Sequence, residues 1–209
     1  SHSSIAKGDL GSMRGTSLLW GPMLARFGKL VFDDLPGGCS LGARSLSPHY
    51  QAFTDLGVTV VQTNNGLSMD AKNAKASEVW LSEMSPTVTE NALMLASTLS
   101  GHTKIVGACS DPQVQDLCEF LSSSGVKING IGSSVLEVDG TTLPRDHEHT
   151  IWPDHYEIAT FLALGAATDG QITVHHNLQD KLVPIWREFE KFGIKLVHTK
   201  TSTTFVGSV

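Results

Sequence analysis

Hydrophobic and polar positions along the chain follow one scheme that recurs, and the middle third shows it most fully. Glu78 to Leu81 reads as a short strand. From Thr87 to Ser100 apolar residues fall at Ala92, Leu95, Ala96 and Leu99, the spacing of a helix face, and Gly101 is placed to stop that helix. Lys104 to Ala108 predicts a second strand. Asp111-Pro112 then offers an acidic cap followed by Pro at the first helical position, opening a helix that runs to Ser124. Two short strands follow, Lys127 to Gly130 and Val135 to Val138, joined by a turn at Gly132-Ser133. The order is βαβαββ.

The last third repeats it. A strand is expected at His149 to Trp152, a helix at Asp154 to Thr168, a strand at Gln171 to His175, a helix at Leu178 to Phe192, and strands at Ile194 to Thr199 and Thr203 to Val206. The first third carries a less regular copy, whose opening helix, Ser17 to Phe27, runs through Gly21-Pro22 and must bend there. Three glycines, each leading into a short β-branched run, mark the period at positions 57, 125 and 193, 68 residues apart. Such a period points to a pseudo-symmetric α/β domain rather than an open array. The helices carry enough apolar surface to be covered on several sides, so the expected fold is three βαβαββ units with helices packed inside sheets. The units are expected at 13–77, 78–144 and 145–209, after a tag or linker at 1–12. They would form one compact domain, or parts of two domains of a longer parent.

Composition narrows the function classes. With 209 residues and 40% hydrophobic content the chain can bury a real core. Its longest apolar run, Phe161 to Ala167, falls far short of the roughly 20 residues that span a bilayer, so no membrane partner is expected. A net charge of -6 with singly scattered cations is the wrong sign for a nucleic-acid binder. Three cysteines without metal-site spacing argue against a disulfide framework or zinc, and for a reducing, cytoplasmic setting.

The chemistry concentrates in Leu35-Pro36-Gly37-Gly38-Cys39-Ser40-Leu41-Gly42-Ala43-Arg44, a glycine-rich loop with one thiol five residues before a guanidinium. An exposed thiol beside a cation is a usable acid or nucleophile. Cys109 and Cys118, among apolar neighbours, read as core thiols, and Trp152 and Trp186 as packing anchors. His147-Glu148-His149 reads as a solvated turn rather than a metal cluster. His175 and His176 alternate to opposite faces of a strand, and His49 reads as structural, with contact to a nucleotide as the alternative.

Together the 68-residue βαβαββ period, Met13-Arg14, Gly21 to Gly28, the cysteine loop, Gly42-Ala43-Arg44, Thr89-Glu90-Asn91 and Pro153-Asp154 resemble the enolpyruvyl transferases, from about Met13 to the carboxyl terminus. The resemblance implies an inside-out barrel of sheets around helices. It also implies transfer of enolpyruvyl from phosphoenolpyruvate to a nucleotide-sugar hydroxyl, that of UDP-N-acetylglucosamine in peptidoglycan precursor synthesis, without cofactor or metal. By that resemblance Cys39 is the thiol that protonates or traps phosphoenolpyruvate and is alkylated by fosfomycin. Arg14 and Arg44 bind phosphate and carboxylate oxygens, and Ser45, Leu46, Ser47, Ser85 and Thr87 border the nucleotide. Asp154 and Glu157 fall at an interdomain hinge. Members of the family are about twice this length, and a Lys-Asn pair, a catalytic Asp and further Arg residues have no counterpart here. Where the family carries Asp, Lys and Gly, this chain has Ser47, Glu83 and Thr87. A diverged paralogue with another acceptor, or a non-catalytic nucleotide- or partner-binding module, therefore stands beside the enzyme reading, and exposed apolar surface predicts self-association.

Overall fold

Among the described residues the strands form three sheets that share one permuted strand order. The computed structural model describes residues 3–5, 14–32, 45–63, 66–141 and 146–208. In the first sheet β1 (Ser3–Ile5), β2 (Lys29–Phe32), β3 (Thr59–Thr63) and β4 (Gly66–Asp70) lie in the order β1-β2-β4-β3. The second repeats this with β5 (Glu78–Trp80), β6 (Gly101–Val106), β7 (Lys127–Asn129) and β8 (Val135–Gly140), ordered β5-β6-β8-β7. In both, only the opening pair is parallel, as a strand-helix-strand crossover requires, and every later pair is antiparallel. The third sheet, β9 (Ile172–His175), β10 (Ile194–His198) and β11 (Ser202–Ser208), runs β10-β11-β9. That is the same order without its opening strand. Gly57, Gly125 and Gly193, the markers of the period, all have left-handed φ, at 82°, 106° and 73°. The repeat is thus punctuated by a backbone conformation that favours glycine.

Among the described residues six α-helices connect the strands. A 3-10 turn, Arg14–Leu19, leads into α1 (Trp20–Phe27), followed by α2 (Ser47–Asp55), α3 (Pro86–Ala96), α4 (Pro112–Ser123), α5 (His155–Thr168) and α6 (Val183–Lys191). The bend expected at Gly21-Pro22 is this change of helix type. Pro22 then lies in the first turn of α1, where a missing N–H removes no intrahelical bond. By contact the chain divides into two compact units, Ser1–His149 and Thr150–Val209. In the first, α3 is the inner helix. Residues Val88 to Leu93, Leu95 and Ala96 are all buried, against α1, α2 and α4, and the core around them includes Trp20, Phe53, Met69, Ile105 and Val138. The second unit has its own core of Ile158, Leu162, Leu178, Leu182, Trp186, Phe189 and Phe205. Among the described residues no helix is long and apolar enough to cross a membrane.

Four expectations are corrected. Ser3–Ile5, inside the stretch expected to be tag or linker, forms β1 by pairing parallel with Leu30 to Phe32. No strand forms at His149 to Trp152. His149 instead places Nε2 2.7 Å from Asp116 Oδ1 and its ring edge-on to Phe120, while Trp152 lies under the Lys181 ammonium at 5.1 Å. The third helix ends at Ala96 rather than Ser100. The Ser97 and Thr98 hydroxyls donate back to the carbonyls of Met94 and Leu95, competing with helix continuation, and Gly101 opens β6 rather than closing the helix. Finally, α6 starts at Val183 instead of Leu178. Pro184 fits only the first turn of a helix, and the preceding residues close a turn on the Leu178 carbonyl.

Candidate functional site

The first unit holds a cavity of about 540 Å³. Gly15 and Ser17 from the 3-10 turn form one side, Ser45 and His49 at the start of α2 another, and the run Glu83 to Thr87 leading into α3 the third. Helix α3 opens toward it with Ser85 as N-cap and Pro86 in its first turn. Ser85 makes no side-chain capping bond, and its hydroxyl lies 3.3 Å from that of Thr87. The uncapped end of a helix offers partial positive charge and N–H donors to whatever occupies the space.

Behind the wall lies a buried polar network. Asn91 of α3 accepts the Gly21 N–H at Oδ1 (2.8 Å) and donates from Nδ2 to the Ser17 carbonyl (2.9 Å). The same amide nitrogen is 3.1 Å from His49 Nδ1, and His49 Nε2 is 3.4 Å from Thr87 Oγ1. His49 is 3% exposed, its ring held edge-on to Trp20 at 5.5 Å. Next to Asn91 on α3, Glu90 is buried, its carboxyl pushed up first by burial and then by the nearby Asp111 charge. Asp111 caps α4 by position but makes no side-chain cap bond. Its charge also helps hold the Cys109 thiol up, after burial, the largest cause.

Of the residues expected to border a nucleotide, Ser45, Ser85 and Thr87 line the cavity, and Glu83 lines it with them. Ser47 turns away to a hydroxyl contact with Ser45 at 2.7 Å, and Leu46 packs on the core. Arg14 begins the 3-10 turn, while Cys39 and Arg44 lie outside the described residues. Asp154 and Glu157 belong to the second unit. There the Asp154 carboxylate accepts the N–H groups of Tyr156 (2.7 Å) and Glu157 (3.4 Å) and caps α5. His147 and His149, weighed as metal ligands, instead pack on Phe120, and His149 meets Asp116. His176 is buried and His175 exposed, on opposite faces as alternation requires. His49 is held in the buried network, as its structural reading expects, and it also lines the cavity wall. The signal was available in the polar run Thr89-Glu90-Asn91 inside an otherwise apolar helix.

Solved enolpyruvyl transferases share this fold. The enolpyruvyl transferase NikO from Streptomyces tendae superposes with a TM-score of 0.76 at 17% identity, covering 95% of this chain and 48% of that one. EPSP synthase from Acinetobacter baumannii gives 0.67 at 14% identity, covering 99% and 47%. The chain belongs to the EPSP synthase (3-phosphoshikimate 1-carboxyvinyltransferase) family, whose model matches residues 3–209. Among its relatives are the UDP-N-acetylglucosamine 1-carboxyvinyltransferases of Treponema denticola, 40% identical over 182 residues, and Helicobacter pylori, 37% identical over 187. The matched residues are 87% and 88% of this chain but 42% and 44% of those proteins, so the chain spans less than half the length of the curated relatives it matches.

Proposed function

We propose that the protein carrying this chain transfers the enolpyruvyl group of phosphoenolpyruvate to a hydroxyl of a nucleotide sugar, UDP-N-acetylglucosamine, as a cytoplasmic step of peptidoglycan precursor synthesis. The acceptor hydroxyl gives up its proton to solvent and its oxygen adds to C2 of phosphoenolpyruvate as C3 takes a proton. Loss of that proton then expels phosphate and restores the double bond, with no cofactor required. Cys39 is the thiol that delivers the proton or traps phosphoenolpyruvate, and Arg14 and Arg44 supply planar bidentate donors to its phosphate and carboxylate. The observation that carries the reading is the cavity at the head of α3, where Ser45, Ser85 and Thr87 meet. Hydroxyls and a helix N-terminus suit the oxygens of a nucleotide phosphate.

Glu83 favours a second reading. Its carboxylate lines the same cavity, and beside a diphosphate it is repulsive, so an acceptor with fewer phosphate charges fits that wall better. Apolar side chains exposed on α5, Tyr156, Phe161 and Leu164, favour self-association of the chain.

Intact-mass spectrometry after fosfomycin treatment, with and without UDP-N-acetylglucosamine, tests the assignment. A single adduct that the nucleotide sugar promotes and Cys39→Ser abolishes is the expected result. A folded chain that gains no adduct would leave a non-catalytic binding module as the better account.

A further inference from the structure

The hydrogen bonds behind the cavity have a fixed direction. A backbone N–H only donates, so the Asn91 atom facing Gly21 N at 2.8 Å is the carbonyl oxygen. The other end is therefore the NH2 group, whose two protons go to the Ser17 carbonyl at 2.9 Å and to His49 Nδ1 at 3.1 Å. His49 Nδ1 is then an acceptor without a proton, and the ring's single N–H sits on Nε2, facing Thr87 Oγ1 at 3.4 Å. Thr87 accepts there, which releases its own hydroxyl proton toward Ser85, 3.3 Å away, or into the cavity that both residues line. From Asn91 onward the donations run through His49 and Thr87 toward the cavity.

We propose that Asn91 and His49 are a positioning pair for the ligand of this cavity. The amide holds the imidazole as its neutral Nε2–H tautomer, and the imidazole in turn leaves one hydroxyl donor for the ligand, that of Thr87 or, where Thr87 donates to Ser85, that of Ser85. The group this donor meets is an acceptor-rich one, phosphoryl or carbonyl oxygen, rather than a donor such as an amine. Neither residue touches reacting atoms. The inference rests on the reading of this cavity as the acceptor-substrate site.

Long-range proton–nitrogen NMR of the histidine rings, followed by titration with UDP-N-acetylglucosamine, tests the pair. The His49 ring is expected to show a single Nε2–H tautomer, and Asn91→Asp is expected to draw a proton onto Nδ1. A tautomer mixture in the native chain, or one unmoved in Asn91→Asp, overturns the lock. His49→Gln keeps a donor at the Nε2 position and is expected to bind within a few-fold of the native chain, while His49→Phe binds roughly tenfold more weakly. If the native chain and His49→Phe bind the nucleotide sugar equally and both retain native circular dichroism, the positioning role fails while the site reading stands. A locked Nε2–H tautomer in a native chain that binds no nucleotide sugar overturns the site reading, and the ligand half of the proposal with it.

Discussion

Gly21 and Asn91, 70 residues apart in the chain, meet through the Gly21 N–H and the Asn91 side-chain oxygen at 2.8 Å. The approach is so close that a Cβ on residue 21 would stand 2.7 Å from the Asn91 carbonyl oxygen and 3.1 Å from Oδ1. The first of these is helix backbone and cannot swing aside. Gly21→Ala should therefore push α1 off α3 and lower the stability of the Ser1–His149 unit by about 1–3 kcal/mol, read as a drop in urea midpoint. An unchanged midpoint would mean that the two helices pack less closely than this.

The thiols should separate by reactivity. Cys118 is fully buried on α4 and its pKa is pushed up to about 12, first by burial and then by Glu119. Cys109, 6% exposed, is also shifted up. Thiolate, not thiol, reacts. Brief alkylation of the native chain near neutral pH should label Cys39 alone, and all three cysteines after unfolding, counted by intact mass. Rapid native labelling of Cys118 would contradict the burial of α4.

Acid should weaken the second unit. His176 Nδ1 accepts the Leu178 N–H at 3.1 Å, so its proton lies on Nε2, 2.9 Å from Thr203 Oγ1. That hydroxyl lies 2.9 Å from His198 Nδ1 and donates to it. Both rings are thus neutral, and burial lowers both pKa values below the ordinary 6.5, with the second imidazole lowering His176 further and Glu190 partly offsetting the shift at His198. The unfolded chain binds protons first as pH falls. The contribution is fully present above the ordinary histidine range and is lost below about pH 6.5. Unfolding midpoints between about pH 8 and pH 5 should fall with acid, and less steeply in His176→Asn, which keeps an acceptor for Leu178. A midpoint that rises on acidification would refute the assignment.

Asp154 provides a simpler test at the other end of that unit. Its carboxylate accepts the Tyr156 and Glu157 N–H groups at the start of α5. Asp154→Ala should cost about 1 kcal/mol and Asp154→Ser much less, by thermal unfolding. Equal losses in the two variants would assign the residue a role beyond capping.

The period, the three sheets and most helix faces were legible in the sequence because they rest on local pattern: apolar spacing, Pro at helix starts and glycine at left-handed turns. What was not legible depends on partners distant in the chain. Ser3–Ile5 becomes a strand only because Leu30 to Phe32 offer an open edge, and His149 leaves its expected strand for Asp116, 33 residues away. The cavity was half legible. Serines and a threonine could be placed on its wall by resemblance, whereas His49 depends on Asn91, and a lone histidine does not announce the amide that orients it.

Helix α3 differs from α6 in a way that bears on how this chain tolerates change. Along α3 almost every position is buried, including Thr89, Glu90 and Asn91, whereas α6 buries only Trp186 and Phe189 and leaves its other faces more open. In an exhaustive substitution survey, α6 would show the familiar rhythm of permissive and forbidden sites every three to four residues. Helix α3 would show no rhythm at all, being intolerant along nearly its whole length. A segment whose conservation in descendants looks uniform, and therefore catalytic, would owe that uniformity to having neighbours on every side.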